Sequence, residues 1–270
     1  MKSVTVRCPA KVNLFLAVGP SDATGYHPVR TILQAVSIFD TLAIESSETP
    51  GLTCNWPDLP VDDSVSKALR LLGEITRVPS LHIHLHKEIP AESGLGGAST
   101  DAAGLLRGIG AFLEATLPRQ VLLDIAAAIG VDTPFFLVGG RARGEGYGER
   151  LTPMPDAPPL DLVVAKPAVG VASGEAYRRL DSKSFAWRDW PADETLYNDF
   201  ERVAPCESLD LIERLRALGA RDAGLTGSGS AVFGVFADSQ AAGAAAARLA
   251  SEGADFVRAC RTLTRTESLT

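Results

Sequence analysis

The chain has 270 residues, 46% of them hydrophobic and 22% charged. That is the balance of a globular protein of one large or two modest domains, at about 150 residues each, long enough to bury a real core. Its 26 Lys and Arg against 33 Asp and Glu leave a net charge of −7, which disfavours nucleic-acid binding by bulk electrostatics but not a local phosphate site built from oriented backbone amides. The four cysteines, Cys8, Cys54, Cys206 and Cys260, are scattered with no C-x-x-C, which predicts reduced, mostly buried thiols in a reducing compartment. No run approaches the ~18 apolar residues of a membrane span and the N-terminus carries no apolar signal core. A cytoplasmic protein with no membrane partner is the expectation.

The N-terminal stretch alternates, with Val4 and Val6, then Val12, Leu14, Leu16 and Val18 beyond Pro9. Two short strands broken at Cys8-Pro9-Ala10 are predicted, because proline cannot donate to a ladder. Lys11, Asn13 and Phe15 then share the face opposite Val12 and Leu14, which either lines a cleft or is simply solvated. A polar loop, Gly19 to Pro28, leads to a strand-like run from Ile32 to Ile44. Helical spacing follows from Asp62 to Thr76. Leu81 to Lys87 alternates again and puts His82, His84 and His86, three of the four histidines, on one face. That pattern admits a zinc site or a half-exposed strand, and no neighbouring Cys or carboxylate cluster completes a ligand set.

The strongest local signal comes next: Pro90, Ala91, Glu92, Ser93, Gly94, Leu95, Gly96, Gly97, Ala98, Ser99 and Thr100, then a helix through Leu113. Glycines at 94, 96 and 97 let several N–H groups converge. Ser99 or Thr100 stands where a helix N-cap is expected. Strand, glycine loop and helix N-terminus in that order make an anion site suited to phosphate. The loop lacks the lysine of a G-x-x-x-x-G-K-[ST] phosphate loop and the pattern of a dinucleotide fingerprint. A second helix, Pro118 to Ile129, is closed by Gly130 in the usual position after a helix. Asp132 follows between apolar neighbours. It is either a desolvated carboxylate with raised pKa and base character, or an Asx cap for the short helix opened by Pro134.

Glycine- and proline-rich sequence from Gly139 to Pro159 marks the best boundary and divides the chain into domains 1–155 and 156–270. Beyond it a strand, a short helix, a further helix, a strand pair around Thr226-Gly227-Ser228-Gly229-Ser230, an alanine-rich helix and a last strand suit a split βαβ, ferredoxin-like layer. The Gly-Ser-Gly-Ser turn is a hairpin on one reading and a second wall of an anion site on the other.

Three separated stretches, PAKVNLFL from Pro9, IPAESGLGGASTDAA from Ile89 and LTGSGSAVF from Leu225, together resemble the signature motifs of the GHMP kinases. The pieces GYH from Gly25, VDTPFFLVGG from Val131, GYGERLTP from Gly146 and NDFE from Asn198 make the resemblance closest to the branch that phosphorylates 4-diphosphocytidyl-2-C-methyl-D-erythritol in non-mevalonate isoprenoid-precursor synthesis. It spans essentially the whole chain. The resemblance implies an α+β, two-domain fold, a ribosomal protein S5 domain 2-like N-terminal domain followed by a ferredoxin-like one, with the site in the cleft between them. It implies ATP and Mg²⁺, a small cytidylated methylerythritol as partner, and a monomer or homodimer. Lys11 and Asp132 resemble the catalytic pair, and the loop from Pro90 to Thr100 the ATP cradle, with Ser99 or Thr100 near Mg²⁺ and no metal ligand assigned. Asn13, Tyr26, His27, Tyr177, Gly227 and Ser228 fall at substrate-binding positions. The chain departs from the family at Ala98, where a third glycine is usual and which is expected to tighten the loop, at Val131 and Thr133, and in the KPAVGVASGEAY stretch that carries Tyr177. A kinase for another small alcohol, such as homoserine or a mevalonate derivative, and a non-catalytic binding protein of the same fold are the competing readings. The GYH segment and the presence of both Lys11 and Asp132 oppose them.

Overall fold

The alternating N-terminal residues form one long strand, β1 (Ser3–Val18), paired antiparallel with β2 (Val29–Ser46) in a computed structural model that describes all residues except 1, 58, 61, 115–116, 184–185 and 192–194. Pro9 does not split it, contrary to the sequence expectation. The register slips between Pro9 and Ala10, whose partners are Phe39 and Val36, so Ser37 and Ile38 of β2 bulge out beside the proline. A second slip makes Leu14 an extra residue between Asn13 and Phe15. Lys11 and Asn13 keep a common face, with Lys11 Nζ donating to Asn13 Oδ1 at 2.7 Å. Phe15, past the slip, instead joins the apolar cluster of Val12 and Leu14.

The first sheet continues through β3 (Gly51–Cys54), α1 (Ser64–Gly73) and β4 (Leu81–His86), which lies beside β2 and carries β3 on its outer edge. Asp63 caps α1 by accepting from the Val65 and Ser66 amides. Next come α2 (Gly97–Leu113), α3 (Arg119–Ile129), α4 (Phe135–Val138) and the hairpin β5 (Arg141–Glu145) and β6 (Arg150–Pro153), with β5 paired to β2. The helices cover one face of the sheet, where Leu42, Ile44, Ile83 and Leu85 pack against Leu72, Leu105, Ile109 and Ile125. On the other face His84 bridges Thr53 Oγ1 at 2.8 Å and Glu45 Oε1 at 3.0 Å. Among the described residues no three His, Cys, Asp or Glu are placed to hold a metal.

Beyond the proline-rich stretch come β7 (Asp161–Lys166), α5 (Ser173–Asp181), β8 (Tyr197–Asn198), a short 3-10 helix (Asp199–Val203), α6 (Cys206–Ala217), β9 (Asp222–Leu225), β10 (Val232–Phe236), α7 (Ser239–Ser251), β11 (Phe256–Arg261) and α8 (Arg265–Leu269). Four of these strands form an antiparallel sheet in the order β11-β7-β10-β9, the order of a split βαβ unit. Both its faces are buried. Val163, Ala165 and Val232 meet α6 and α7, whereas Leu162, Val164 and Phe233 meet Val12, Leu14 and Ile32 of the first sheet. Two later segments return to the first sheet's side: β8 pairs parallel with β1, and Ser268 of α8 accepts from the Gly140 amide at 2.8 Å. Of the four free cysteines only Cys8 is buried and Cys206 is exposed, so the expectation of mostly buried thiols holds for one residue. No helix among the described residues is long and apolar enough to cross a membrane.

Helix α2 lies unusually close to β1 and β2. A Cβ on Gly104 would stand 2.3 Å from Cys8 Sγ, and one on Gly108 would stand 2.7 Å from Ile44 and Val6. Gly104→Val should therefore lower unfolding stability by about 3 kcal/mol through overpacking, despite its better helix propensity. A urea transition with an unshifted midpoint would mean that α2 can slide outward at no cost.

Candidate active site

The glycine loop leaves β4 through the buried Ile89 and enters α2. Gly94 (φ +76°) and Gly96 (φ +78°) take the left-handed region, and Glu92 does so without being glycine (φ 49°). Space forbids a side chain as firmly as the backbone angle does. A Cβ on Gly94 would lie 2.2 Å from the Thr226 carbonyl oxygen, and one on Gly96 would lie 2.7 Å from Phe136. The helix begins earlier than its hydroxyls suggested. Gly96 is the cap residue and has no side chain to bond, whereas Ser99 and Thr100 already sit in the first turn. The first helical amides thus have no partner within the helix and mark its positive end. Ala98 is an exposed residue of that turn in ordinary helical conformation, so a methyl group there tightens nothing. Thr100 is fully buried, whereas Ser99 lines a cavity of about 580 Å³ together with Gly97, Ala98, Asp132 and Ser173. Trp56, Leu59, Pro60 and Leu85 also line this cavity.

The second sheet holds the loop by its backbone. The Ser230 and Ala231 amides donate to the Glu92 and Ser93 carbonyls at 3.3 and 3.1 Å, and the Val171 amide donates to Glu92 at 3.4 Å. The Gly-Ser-Gly-Ser segment is therefore both the hairpin turn between β9 and β10 and a wall against the glycine loop. Its position is set from β1. Asn13 Oδ1 accepts from the Gly227 amide at 2.9 Å as well as from Lys11, and Asn13 Nδ2 donates to Thr31 Oγ1 at 2.8 Å. From the other side Asn198 Nδ2 donates to the Leu225 and Gly227 carbonyls, both at 2.9 Å. Ser228 Oγ lies 3.0 Å from Ser173 Oγ on α5.

Lys11 is buried, and its Nζ also lies 3.4 Å from Asp132 Oδ2. Asp132 follows Gly130, which ends α3 in extended backbone (φ −178°), not in the left-handed turn expected after a helix. The desolvation expected of Asp132 is absent, since its side chain is 39% exposed and Val131 beside it is exposed too. Nor is it a cap, because Pro134 occupies that position and α4 has no side-chain cap bond. The carboxylate opens to the cavity with a fixed cation behind it. Tyr177 lies close enough to feel its charge: burial first, then Asp132, push the phenol up to about 12, so it stays protonated. The Tyr177 ring stacks on His27 (5.2 Å, 24°) and meets Phe200 edge-on. Tyr26 is 65% exposed beside Tyr147. Lys11, Asp132, Tyr177 and His27 thus follow one another along a single path.

Sequence reading missed the ionic floor under the loop. Lys87 is bonded to both Asp40 and Asp101, all three buried, and it reaches beneath Gly97. Asp40 also accepts from the Glu88 and Ile89 amides at 2.6 and 2.8 Å, whereas Asp101 Oδ1 has no hydrogen-bond partner among the described residues. Burial works against the Lys87 ammonium, but Asp101 and Asp40 outweigh it and hold its pKa above the ordinary lysine value. Burial, opposed by Lys87 and aided by Asp40, raises the Asp101 carboxyl to about 8. Lys87 stood at the end of a legible strand and Asp101 inside a legible motif, but nothing local announces Asp40 as their third member.

Models of the GHMP kinases N terminal domain and the GHMP kinases C terminal domain match residues 63–140 and 202–255. The chain is 35% identical, over 97% of its length and 100% of the relative's, to a 4-diphosphocytidyl-2-C-methyl-D-erythritol kinase of Citrifermentans bemidjiense. It is 35% identical to a protein of the same name from Caldicellulosiruptor bescii, over 89% of this chain and 92% of the relative. A crystal structure of 4-(cytidine 5'-diphospho)-2C-methyl-D-erythritol kinase superposes with a TM-score of 0.84 at 32% identity, covering 96% of this chain and 99% of that one. Homoserine kinase from Cytophaga hutchinsonii, at a TM-score of 0.72 and 18% identity over 99% and 97% of the two chains, shares the fold.

The ionic floor has a pH signature. With its carboxyl at about 8 when folded and near 3.9 when unfolded, Asp101 keeps a proton that the unfolded chain has released. Its contribution to stability is full below about pH 4 and is lost as pH rises through 8. Asp101→Asn, which cannot titrate, should show a flatter stability profile across that window in urea denaturation. Parallel profiles for the two proteins would show Asp101 ionised against Lys87 throughout.

Proposed function

The chain belongs to the 4-diphosphocytidyl-2-C-methyl-D-erythritol kinases, a branch of the GHMP kinases, and we propose that it transfers the terminal phosphoryl group of ATP to the 2-hydroxyl of 4-diphosphocytidyl-2-C-methyl-D-erythritol, a step of non-mevalonate isoprenoid-precursor synthesis. One observation carries the reading. The accessible Asp132 carboxylate shares a cavity with the open N-terminus of α2, and the buried Lys11 ammonium stands behind it at 3.4 Å. Phosphoryl transfer asks for positioning and charge neutralisation more than for covalent help from the protein, and those parts supply both.

In this reading the ATP phosphates lie on the amides of Gly94 and residues 96–99, the Leu95 amide being bonded to Ser93 Oγ, and the adenine between Trp56, Leu59 and Leu85. Asp132 accepts the hydrogen bond of the substrate hydroxyl and takes its proton as the oxygen bonds to phosphorus and ADP departs. Lys11, held by Asn13, steadies both the aspartate and the charge on the transferred group. The donor set around the loop suits Mg²⁺, which keeps water and phosphate oxygens and asks little of the protein. Ser99 would hold it, since it lines the cavity, whereas Thr100, fully buried in α2, would not. When bound, the ion neutralises charge on the phosphates. Tyr26, His27 and Tyr177 would recognise the cytidine by stacking and hydrogen bonding, and Ser228 flanks them. Asn13 and Gly227 are already bonded to each other, so in this account they hold Lys11 and the loop in place without meeting the base. The three free thiols that are not fully buried suit the reducing cytoplasm.

Release of ADP from Mg-ATP, measured with the cytidylated polyol, the same polyol without its cytidyl group, homoserine and mevalonate, tests the reading. Turnover confined to the first compound is expected, and turnover with another alcohol would sink the substrate assignment. Asp132→Asn should keep the fold and ATP binding while losing turnover by about a thousandfold. Activity near that of the unmodified enzyme would remove Asp132 from the proton transfer.

A further inference from the structure

The two loop side chains that this reading assigns to the base, Tyr26 and His27, have no place in any hydrophobic core. The loop from Gly19 to Pro28 closes at its neck through the Gly19 amide and the Pro28 carbonyl, 2.7 Å apart. Inside it Asp22 accepts from the amide and hydroxyl of Thr24 at 2.8 and 2.5 Å. These bonds shape the loop but leave the Tyr26 ring, and the Nε2 edge of His27, to be held from outside.

Tyr26 is held by the β5–β6 hairpin. The Tyr147 ring lies 5.4 Å from the Tyr26 ring, tilted by 51°, and Tyr147 Oη donates to Asp22 Oδ2 at 2.6 Å. Tyr147 is itself fixed, since its amide donates to Glu149 Oε2 at 2.7 Å and its flanking residues Gly146 (φ +70°) and Gly148 (φ +118°) make a turn that demands glycine. The Gly146 carbonyl accepts from the Val29 amide at 2.7 Å, which ties the hairpin tip to the loop's neck. His27 is held both by its own loop and by α5. Its Nδ1 lies 2.9 Å from the Gly19 carbonyl and its Nε2 lies 3.1 Å from Asp181 Oδ1, at the end of the same helix α5 that carries Tyr177. Asp181 therefore fixes His27 relative to the ring on which it stacks.

We propose that Tyr147 and Asp181 are positioning residues for nucleobase recognition, each setting one of the two loop side chains before the substrate arrives. The proposal rests on the kinase reading above. An irregular loop ordered in advance removes an entropic cost from binding. Because neither residue touches Lys11 or Asp132, the effect falls on substrate affinity and spares the chemical step.

The test is steady-state kinetics of the full-length enzyme with Mg-ATP and 4-diphosphocytidyl-2-C-methyl-D-erythritol. Tyr147→Ala and Asp181→Ala should each raise KM for the polyol about tenfold, the scale of one lost hydrogen bond to a charged group. kcat and KM for ATP should stay within about twofold. Tyr147→Phe keeps the ring and should lie between the unmodified enzyme and the alanine variant, whereas Asp181→Asn keeps an acceptor and should recover most of the affinity. Polyol KM unchanged in both alanine variants would overturn the proposal. So would a joint decline of kcat, ATP affinity and melting temperature, which would mark a structural role. Failure of the unmodified enzyme to turn over the cytidylated polyol would overturn the kinase reading itself, and the proposal with it, before any variant is made.

Discussion

The carboxamide of Asn13 is the junction on which the site depends. Its oxygen accepts from the Lys11 ammonium and from the Gly227 amide, and its nitrogen donates to Thr31 on the neighbouring strand. One buried side chain thus orients the cation, fixes the turn of the second sheet and anchors both to the middle of the first sheet. A carboxylate there could not donate to Thr31, and an apolar group would leave the buried ammonium only the more distant Asp132 at 3.4 Å, a costly deficit in a region of low dielectric. Thr226 adds to the same junction by accepting from the Asn13 amide at 3.1 Å.

From this junction the two sheets act as one support. Their facing apolar sides form a shared layer, Val12, Leu14 and Ile32 against Leu162, Val164 and Phe233, so the cleft floor is a packed interior and not a hinge. The glycine loop is fixed within that support by its carbonyls, bonded to the amides of residues 171, 230 and 231, which leaves the amides at the start of α2 free. Bonding the loop through its acceptors keeps its donors available, and donors are what a phosphate needs.

Much of this was legible in the sequence because it is local. Alternation put Lys11 and Asn13 on one face, three glycines in four residues marked the loop, and the order of elements after Pro159 gave the split βαβ layer. The misreadings share one cause, long-range context that no short window contains. The slip at Leu14 that turns Phe15 away depends on pairing with β2. Asp132 looked buried because its sequence neighbours are apolar, yet Val131 points outward. The two-residue strand β8 is specified by its partner Phe15 far along the chain. The buried trio Asp40, Lys87 and Asp101 is assembled from a strand, a strand end and a helix, and only their convergence makes it a unit.

That trio also bears on how an acidic chain would host a triphosphate, as the proposed function requires. Among the described residues lining the large cavity, Lys87 is the only lysine or arginine, and it is already bonded to the buried Asp40 and Asp101. Lys11, just behind the loop, is shared with Asp132. The site therefore has no loose cation with which to gather phosphates from a distance. Attraction must come from the oriented amides and the helix N-terminus, whose fields fall off within a few ångströms, together with whatever ion accompanies the nucleotide. Such a site discriminates by shape and contact and not by steering, because a polyanion that cannot enter the glycine loop meets a surface of net negative charge. On the proposed reading, the −7 of the chain and the phosphate cradle are compatible parts of one selection, in which small phosphorylated ligands that fit would be held and larger polyanions repelled.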